Sequence, residues 1–525
     1  MKKAHLFKLI CLILTLAMVI SLLASCSTSS RKANDDDDEY EETTTKKSNK
    51  NNKNNNDDDD DDDDDDYNGP VYEGTDGIIY SLSYNGEYAM VTGYEGDDED
   101  VIIAKKYDGV PVTVIDYYAF ANNSTVETVL IQEGVLDICY NAFANMENLT
   151  NVYIPESIKT ISPYAFSYSE NLEFNEYDNA YYLGNDSNNY IALIKASDTY
   201  IESCKINSNT KVVADNAFDF CYNLLSITFP DSVKTIGSSV FNWCTSLEEV
   251  VLPNGITSIP SYFFYECINL KEVEIPDTVT EIHMGAFYDC QSLESLEIPK
   301  NVNYIGEGVF AGCTSLSDIT LKNTNDDFYQ IIDGHLYSNY GTELLAYFEA
   351  NNTSTTFTVP DGVHTISEYA FYNAGYLRIV NLPDSLCTIG YEAFANCISL
   401  QYINLPNDLM SIEIGAFKYC SNLQYMAIPD SVTYLGGSAF SGCSNLTGVT
   451  LPSGITEISW NMFYDCYNLY EIYIPDSITD ITDYVFYGCS GLRYIYYGGS
   501  QSDWDSINVG TYNENLYNAN ISYNN

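Results

Sequence analysis

A repeat of 23 residues constrains the fold of this chain more than any other feature of its sequence. Each copy has a phenylalanine at the same position, and in the fourteen copies these are Phe120, Phe143, Phe166, Phe218, Phe241, Phe264, Phe287, Phe310, Phe371, Phe394, Phe417, Phe440, Phe463 and Phe486. The residue five positions before the phenylalanine is aliphatic in every copy. A fixed period of this length is typical of an array of stacked units and not of independent domains.

The pattern within one unit is V-x-x-I-x-x-x-A-F-x-x-C-x-x-L-x-x-I-x-I-P. Burying seven apolar side chains stabilises a unit by roughly 10 to 20 kcal/mol, whereas ordering its backbone costs about 23 to 46 kcal/mol. One unit therefore cannot fold without neighbours. The alternating L-x-x-I-x-I segment predicts a short strand, and successive units place these strands in a parallel ladder. We predict a β-rich repeat solenoid of about 14 units over residues 109–497.

The period breaks twice, with 52 residues between Phe166 and Phe218 and 61 between Phe310 and Phe371. Both insertions, at about 175–206 and 323–359, are predicted to be hairpins because turn-forming residues lie between apolar segments. They are interpreted as structural decoration or as dedicated binding loops. Before the first unit, Asn85-Gly86 lies between alternating segments, which predicts an N-terminal hairpin cap over residues 67–108.

The first 26 residues have the pattern of an export signal. Lys2, Lys3 and Lys8 precede an apolar run that ends in Leu-Ala-Ser-Cys at residues 23–26. This ending resembles the lipobox of bacterial lipoproteins, in which the cysteine becomes the lipid-bearing first residue. We therefore predict lipidation at Cys26, with the chain outside the cytoplasm and attached to the membrane through lipid only. An uncleaved membrane anchor or an ordinary secretory signal is the alternative.

Residues 27–66 contain almost no apolar side chain and end in ten consecutive aspartates at 57–66. Such a segment is predicted to be a disordered, extended tether. The aspartates are also candidates for collecting calcium, although no EF-hand loop is present to organise ligands. The whole chain has a formal net charge of −53, so it offers no basic surface for phosphates, and nucleic acid is excluded as a partner.

The segment LPSGITEISWNMFYDCYNLYEIYIPDSITDITDYVFYGCSGLRYIYY, at residues 451–497, carries two consecutive units. It resembles the BspA-like leucine-rich repeat family of bacterial cell-surface proteins, and the resemblance covers roughly residues 71–525. It implies a leucine-rich repeat solenoid at a cell surface, associated with attachment to host or microbial partners. Residues 498–525 resemble the closing unit of that family. The resemblance implies no particular ligand.

Ten cysteines lie three residues after the phenylalanine of their unit, at Cys221, Cys244, Cys267, Cys290, Cys313, Cys397, Cys420, Cys443, Cys466 and Cys489. We interpret them as a ladder of buried small side chains. Zinc sites require paired ligands such as C-x-x-C, which the sequence lacks, and a nucleophile requires a base, although the chain has only four histidines. Disulfide bonds between neighbouring units remain an alternative interpretation, because an exported chain would be in an oxidising compartment.

No catalytic, phosphate-binding or metal-binding motif stands out, so we predict neither an enzyme nor a cofactor. The outward positions of the predicted strands are candidates for partner binding. Towards the C-terminus they are Tyr402, Tyr425, Tyr470, Tyr473, Tyr494 and Tyr496, and in the middle units they include Glu249, Glu272, Glu274 and Glu297. Tyrosine columns suit protein or glycan contacts. Stacked glutamates repel each other, which favours a basic partner or cations, or else serves only solubility.

The sequence therefore predicts a monomeric surface protein that binds an unknown surface protein or glycan. The alternative is a passive structural spacer, or a cation-collecting surface protein, without a specific ligand.

Overall fold

The computed structural model describes residues 74–322, 328–352 and 354–524. The predicted signal peptide, Cys26 and the Asp/Asn-rich tether lie outside the described residues. The described chain is a solenoid of short strands, which confirms the predicted fold class. Each 23-residue unit forms one coil with two strands, one from each apolar segment of the pattern.

The first set of strands comes from the L-x-x-I-x-I segment and is called the long-strand ladder. Its strands are Asp100–Ile103, Thr128–Ile131, Asn151–Tyr153, Ser203–Lys205, Ser226–Thr228, Glu249–Val251, Glu272–Glu274, Ser295–Ile298, Asp318–Leu321, Thr356–Thr358, Ile379–Asn381, Tyr402–Ile403, Tyr425–Ala427, Gly448–Thr450, Glu471–Ile474, Tyr494–Tyr497 and Asn520–Tyr523. Paired neighbours run parallel, and Ser226, Glu249 and Glu272 face one another across three coils. The predicted parallel ladder is confirmed.

The second set comes from the V-x-x-I segment and is called the short-strand ladder. Its strands are Val110–Ile115, Asp137–Ile138, Thr160–Ile161, Val212–Val213, Thr235–Ile236, Ser258–Ile259, Glu281–Ile282, Tyr304–Ile305, Thr365–Ile366, Thr388–Ile389, Ser411–Ile412, Tyr434–Leu435, Glu457–Ile458, Asp480–Ile481 and Asn508–Val509. These strands also pair in parallel, so the coil has a second narrow sheet that the sequence pattern did not predict as strand.

Both ends of the solenoid extend the ladders. At the N-terminus, Ile78–Leu82 and Ala89–Tyr94 form an antiparallel hairpin, and Ala89–Tyr94 pairs in parallel with Val110–Ile115. Lys106–Tyr107 forms a second small hairpin with Val110–Ile115. Asp100–Ile103 already belongs to the long-strand ladder although it lies within the range assigned to the cap, because this first strand has no phenylalanine turn before it.

At the C-terminus, residues 498–524 add one further coil. Asn508–Val509 and Asn520–Tyr523 continue the short-strand and long-strand ladders. Between the ladders lies the α-helical turn Gln501–Trp504, which begins at a capping box made by Ser500 and Asp503. The described 3₁₀ turns are Asn339–Gly341, Glu349–Asn351 and Leu516–Asn518.

The phenylalanines stack into a spine inside the coils. Within each uninterrupted run their ring centroids lie 4.5 to 5.9 Å apart, and nearly all of the rings are buried. The residues two before and two after each phenylalanine all have left-handed backbone, with φ between 45° and 76° in all fourteen copies. This conformation is uncommon for bulky side chains, yet Tyr262, Trp243 and Phe220 adopt it. The tight turn of the coil imposes it.

The two insertions are antiparallel, as predicted, and they are built into the ladders. The first contains Asn175–Tyr177, Ala180–Asn185 and Asn188–Ala196. The second contains Tyr329–Ile332, His335–Ser338 and Glu343–Ala346. The last strand of each pairs in parallel with the next short strand, at Val212–Val213 and at Thr365–Ile366. Each insertion therefore takes the place of one coil.

The second insertion also replaces a ring of the spine. Tyr347 donates its backbone N–H to the Ala370 carbonyl over 2.8 Å, as a spine phenylalanine does to the following coil. Its ring stacks on Phe371 at a centroid distance of 4.8 Å. Tyr347 thus occupies the position of the missing phenylalanine.

The ten ladder cysteines are buried free thiols, which confirms the structural interpretation. The structure adds a role that packing alone did not suggest. Nine of the thiols donate to a phenylalanine carbonyl of the preceding coil at 3.1 to 3.3 Å, for example Cys443 to Phe417. Ser169, in the same slot, donates its hydroxyl to Phe143 O over 2.8 Å. The slot therefore favours a small side chain that can donate, although Met146 and Ala374 fill it in two other coils.

These thiols should resist alkylation in the native protein. Burial raises the pKa of the Cys221 thiol to about 12 and that of Cys443 still further, so the reactive thiolate is scarce at neutral pH. We expect maleimide to label few ladder cysteines natively and most of them after denaturation without reductant, measured by peptide mass mapping. Cys443→Ala should cost about 1 kcal/mol of stability, and Cys443→Ser less. Detection of several disulfides between coils would contradict this prediction.

Candidate binding surface

The outer face of the long-strand ladder presents every second strand residue to solvent. In Glu471–Ile474 the side chains of Ile472 and Ile474 are buried, whereas Tyr473 points outward. This alternation follows from the two-residue period of a strand, and the parallel register lines up equivalent positions of successive coils. The outer face is called the strand face below.

Four tyrosines on the last coils of the strand face form what we call the C-terminal tyrosine cluster. The rings of Tyr473 and Tyr496 stack at 4.5 Å, and those of Tyr470 and Tyr494 meet edge to face at 5.3 Å. Tyr494 and Tyr496 join the two pairs at 6.4 Å. A hydrogen bond with Tyr494 is the largest factor that raises the pKa of Tyr470, so this hydroxyl stays protonated at neutral pH.

The other two predicted tyrosines lie on the same face and outside this cluster. The strand Gly448–Thr450 lies between the strand of Tyr425 and the C-terminal tyrosine cluster. Because Gly448 has no side chain, the Tyr425 ring lies close over it, and a Cβ there would be 3.1 Å from the ring. Tyr425 Oη is 3.1 Å from Thr450 Oγ1. Tyr402 begins the column one coil earlier and is 57% exposed. The structure therefore gathers four of the six tyrosines and places the fifth beside them.

The glutamates form a separate acidic patch on the middle coils. Glu249 and Glu272 face each other on neighbouring strands, and Glu274 lies opposite Val251. Among the described residues these three glutamates make no ion pair. Like charges at this spacing repel and reduce stability slightly.

Two lysines compensate part of that acidic charge within the chain. Lys322 Nζ lies 3.0 Å from a Glu297 carboxylate oxygen and 3.3 Å from one of Asp277. Lys271 Nζ lies 2.6 Å from a carboxylate oxygen of Glu248. Glu297 therefore has a partner of its own. The pairing of Lys322 with Asp277 connects residues 45 apart, which a pattern based on the 23-residue unit does not reveal.

In the part of the chain that the structure describes, no group of three or more His, Cys, Asp or Glu side chains is arranged to hold a metal ion. Residues 74–322, 328–352 and 354–524 contain no helix with the length and hydrophobicity needed to cross a membrane.

The stacked coils, the parallel ladder and the phenylalanine spine define a leucine-rich repeat protein. The family model for the BspA type leucine rich repeat region matches in six copies, over residues 110–197, 195–273, 211–339, 345–435, 364–493 and 411–523. The chain belongs to the BspA-type leucine-rich repeat family. No curated protein matches it.

Several solved structures resemble the chain. A leucine rich cell surface protein from Faecalibacterium prausnitzii A2-165 is 28% identical, with 84% of this chain and 98% of that chain covered and a TM-score of 0.46. The pneumococcal vaccine antigen PcpA is 19% identical, with 86% and 97% covered and a TM-score of 0.43. A leucine-rich repeat protein from Bacteroides ovatus ATCC 8483 is 22% identical, with 87% and 100% covered and a TM-score of 0.36.

Proposed function

We propose that this protein is held at a bacterial cell surface by lipid on Cys26 and binds a surface protein or glycan of a host or microbial partner through the strand face. The observation that carries the proposal is the C-terminal tyrosine cluster, whose rings contact one another on consecutive coils. Tyrosine offers a large contact area at a low cost in side-chain entropy, and such rings are frequent anchors of interfaces. A contiguous exposed aromatic patch is uncommon without a binding role.

The acidic patch supports a second candidate, which is attachment to a basic partner or collection of cations. Glu272 and Glu274 lie on one strand, point outward and make no ion pair among the described residues. The two candidates differ in their response to salt. Charge-based attachment weakens as ionic strength rises, whereas attachment through aromatic rings changes little.

Removing one ring of the cluster should weaken partner binding. Tyr473→Ala and Tyr494→Ala are each expected to cost about 1 to 3 kcal/mol of binding free energy, because interface anchors of this type contribute that much. Tyr473 and Tyr494 are 39% and 38% exposed and lie outside the core, so the melting temperature should change little. The partner would be captured from host matrix, mucin or neighbouring cells, and Kd would then be measured for each variant.

Two controls separate the possibilities. Tyr200→Ala removes a tyrosine that is 68% exposed and lies outside the cluster, so affinity should not change. Glu272→Lys with Glu274→Lys reverses the acidic patch without breaking an ion pair of the described chain. Full binding by both cluster variants would rule out the tyrosine assignment, and loss of binding only in the glutamate variant would favour the acidic patch. Failure to capture any partner would favour a passive spacer.

A further inference from the structure

A cleft of about 250 Å³ lies on the phenylalanine turns of four neighbouring coils, away from the strand-face positions considered above. Its lining comes from residues 391–464 and includes four exposed or half-buried aromatic side chains, Tyr391, Tyr419, Trp460 and Tyr464. The volume is slightly below the range of about 300 to 1,000 Å³ typical of drug-sized ligands. The cleft therefore suits one small ring, with the rest of a longer ligand in solvent.

The Trp460 ring is held in place by a neighbouring glycine. A Cβ on Gly437 would lie 2.6 to 2.9 Å from three atoms of the indole, so one face of the ring covers the glycine backbone. The side chain is nevertheless 47% exposed, which leaves indole surface open to the cleft. Tyr419 lies against Gly442 in a similar way, where a Cβ would be 2.3 Å from the ring. These contacts hold the Trp460 and Tyr419 rings in position in the absence of a ligand.

A paired lysine and glutamate provide both hydrogen-bond donors and acceptors at the cleft. Lys418 Nζ lies 3.0 Å from Glu392 Oε1, and the ammonium is 5.6 Å from the centroid of the Tyr419 ring. The ammonium has three donors and the carboxylate accepts several hydrogen bonds, so each group retains capacity beyond the ion pair. Together they carry no net charge.

Two serines line the cleft with unused hydroxyls. Ser438 is 7% exposed and Ser441 is 6% exposed, and both lie in the lining. Among the described residues neither hydroxyl makes a hydrogen bond to the protein, and neither oxygen is among the buried side-chain oxygens that lack a partner, so both hydroxyls reach solvent in the cleft. A ligand hydroxyl that enters the cleft can replace water as their hydrogen-bond partner.

We propose that this cleft binds one pyranose ring of a neutral sugar at the surface of a partner cell or matrix. The C–H face of a pyranose packs on aromatic faces, whose electron-rich surface attracts those hydrogens. Its hydroxyls both donate and accept, which matches the Lys418–Glu392 pair and the two serines. The formal net charge of −53 repels sialylated or sulfated glycans, so a neutral sugar is the fitting class. The proposal concerns a site distinct from the C-terminal tyrosine cluster and stands without it.

The test uses the full chain, methyl glycosides of glucose, galactose, mannose and N-acetylglucosamine, and an array of neutral and sialylated oligosaccharides. Saturation-transfer NMR should detect contact with at least one pyranose, and titration should give its Kd. Trp460→Ala should weaken that affinity at least tenfold, and Ser441→Ala should weaken it severalfold. Trp243→Ala is the matched control, since Trp243 is also partly exposed but lies on an earlier coil, and it should bind as the parent does. Melting curves check that every variant is folded.

Four results would overturn the proposal. These are absence of contact with every glycoside and oligosaccharide tested, unchanged affinity in Trp460→Ala, equal losses in Trp460→Ala and Trp243→Ala, and preferential binding of sialylated sugars. Tyr473→Ala should leave the pyranose affinity unchanged. If it abolishes that affinity while Trp460→Ala does not, the sugar binds the strand face and the cleft assignment is wrong.

Discussion

Phe440→Ala should lower the free energy of unfolding by about 3 to 5 kcal/mol, the usual cost of deleting a large buried ring. Phe440 has no exposed surface, and its ring lies between those of Phe417 at 5.6 Å and Phe463 at 5.9 Å. Collapse of the cavity is hindered because backbone hydrogen bonds to both neighbouring coils fix this turn, including Phe440 N–H to Met462 O. Denaturant unfolding followed by circular dichroism measures the loss.

The matched control for this prediction is Phe220→Ala. Phe220 lies two residues after a spine phenylalanine and is 41% exposed, so its loss leaves little cavity and should change stability by less than about 1 kcal/mol. Cys443→Ala, three residues from Phe440 in the same coil, should also cost far less than the spine variant. Equal effects of Phe440→Ala and Phe220→Ala would show that the stacked rings do not hold the coils together.

Much of the fold could be predicted from the sequence because one period governs it. In each unit the alternation of isoleucines sets the face of the strand, and the constant spacing sets its register against the next coil. This is why the outward positions of Tyr473 and Tyr494 could be predicted before the structure. Their mutual ring contacts also follow from register, since Tyr473 faces Tyr496 on the neighbouring strand.

Other features depend on contacts that the pattern of one unit does not contain. The length of the second insertion does not indicate that Tyr347 takes the position of a spine phenylalanine, because that depends on where its hairpin enters the ladder. The pairing of Lys322 with Asp277 crosses two coils. The cleft beside Trp460 arises where glycines on one coil leave room for rings of its neighbours. Such a site can be found only after the coils are stacked.

The role of the ladder cysteines could be predicted only in part from the sequence. Regular spacing and the lack of zinc or catalytic motifs indicated buried small side chains, and the free thiols agree with that. The hydrogen bond from nine of the ten thiols to a phenylalanine carbonyl of the preceding coil was missed. Ser169 in the same slot was the available signal, because a hydroxyl at a purely apolar position would be costly unless it has an acceptor.

Cys26→Ala is expected to abolish lipid attachment. The thiol of Cys26 is the predicted acceptor of the lipid, so the variant should incorporate no radiolabelled fatty acid and should keep its signal peptide or be misplaced. Cys11→Ala is the matched control, because this cysteine lies inside the apolar run of the signal and should label normally. Mass measurement of the mature N-terminus and cell fractionation would complete the test, and undiminished labelling of Cys26→Ala would contradict it.

The Cys26→Ala variant also tests whether attachment of cells to the partner depends on the lipid anchor. Because residues 27–66 and the repeat units are unchanged in Cys26→Ala, the purified variant should bind a captured partner with the affinity of the parent. Cells that produce it should nevertheless lose attachment to that partner, since the two or three acyl chains predicted on Cys26 are what would retain the binding surface at the membrane. Attachment that persists without lipid would mean that another contact holds the protein at the cell surface, and the anchoring part of the proposed function would fail.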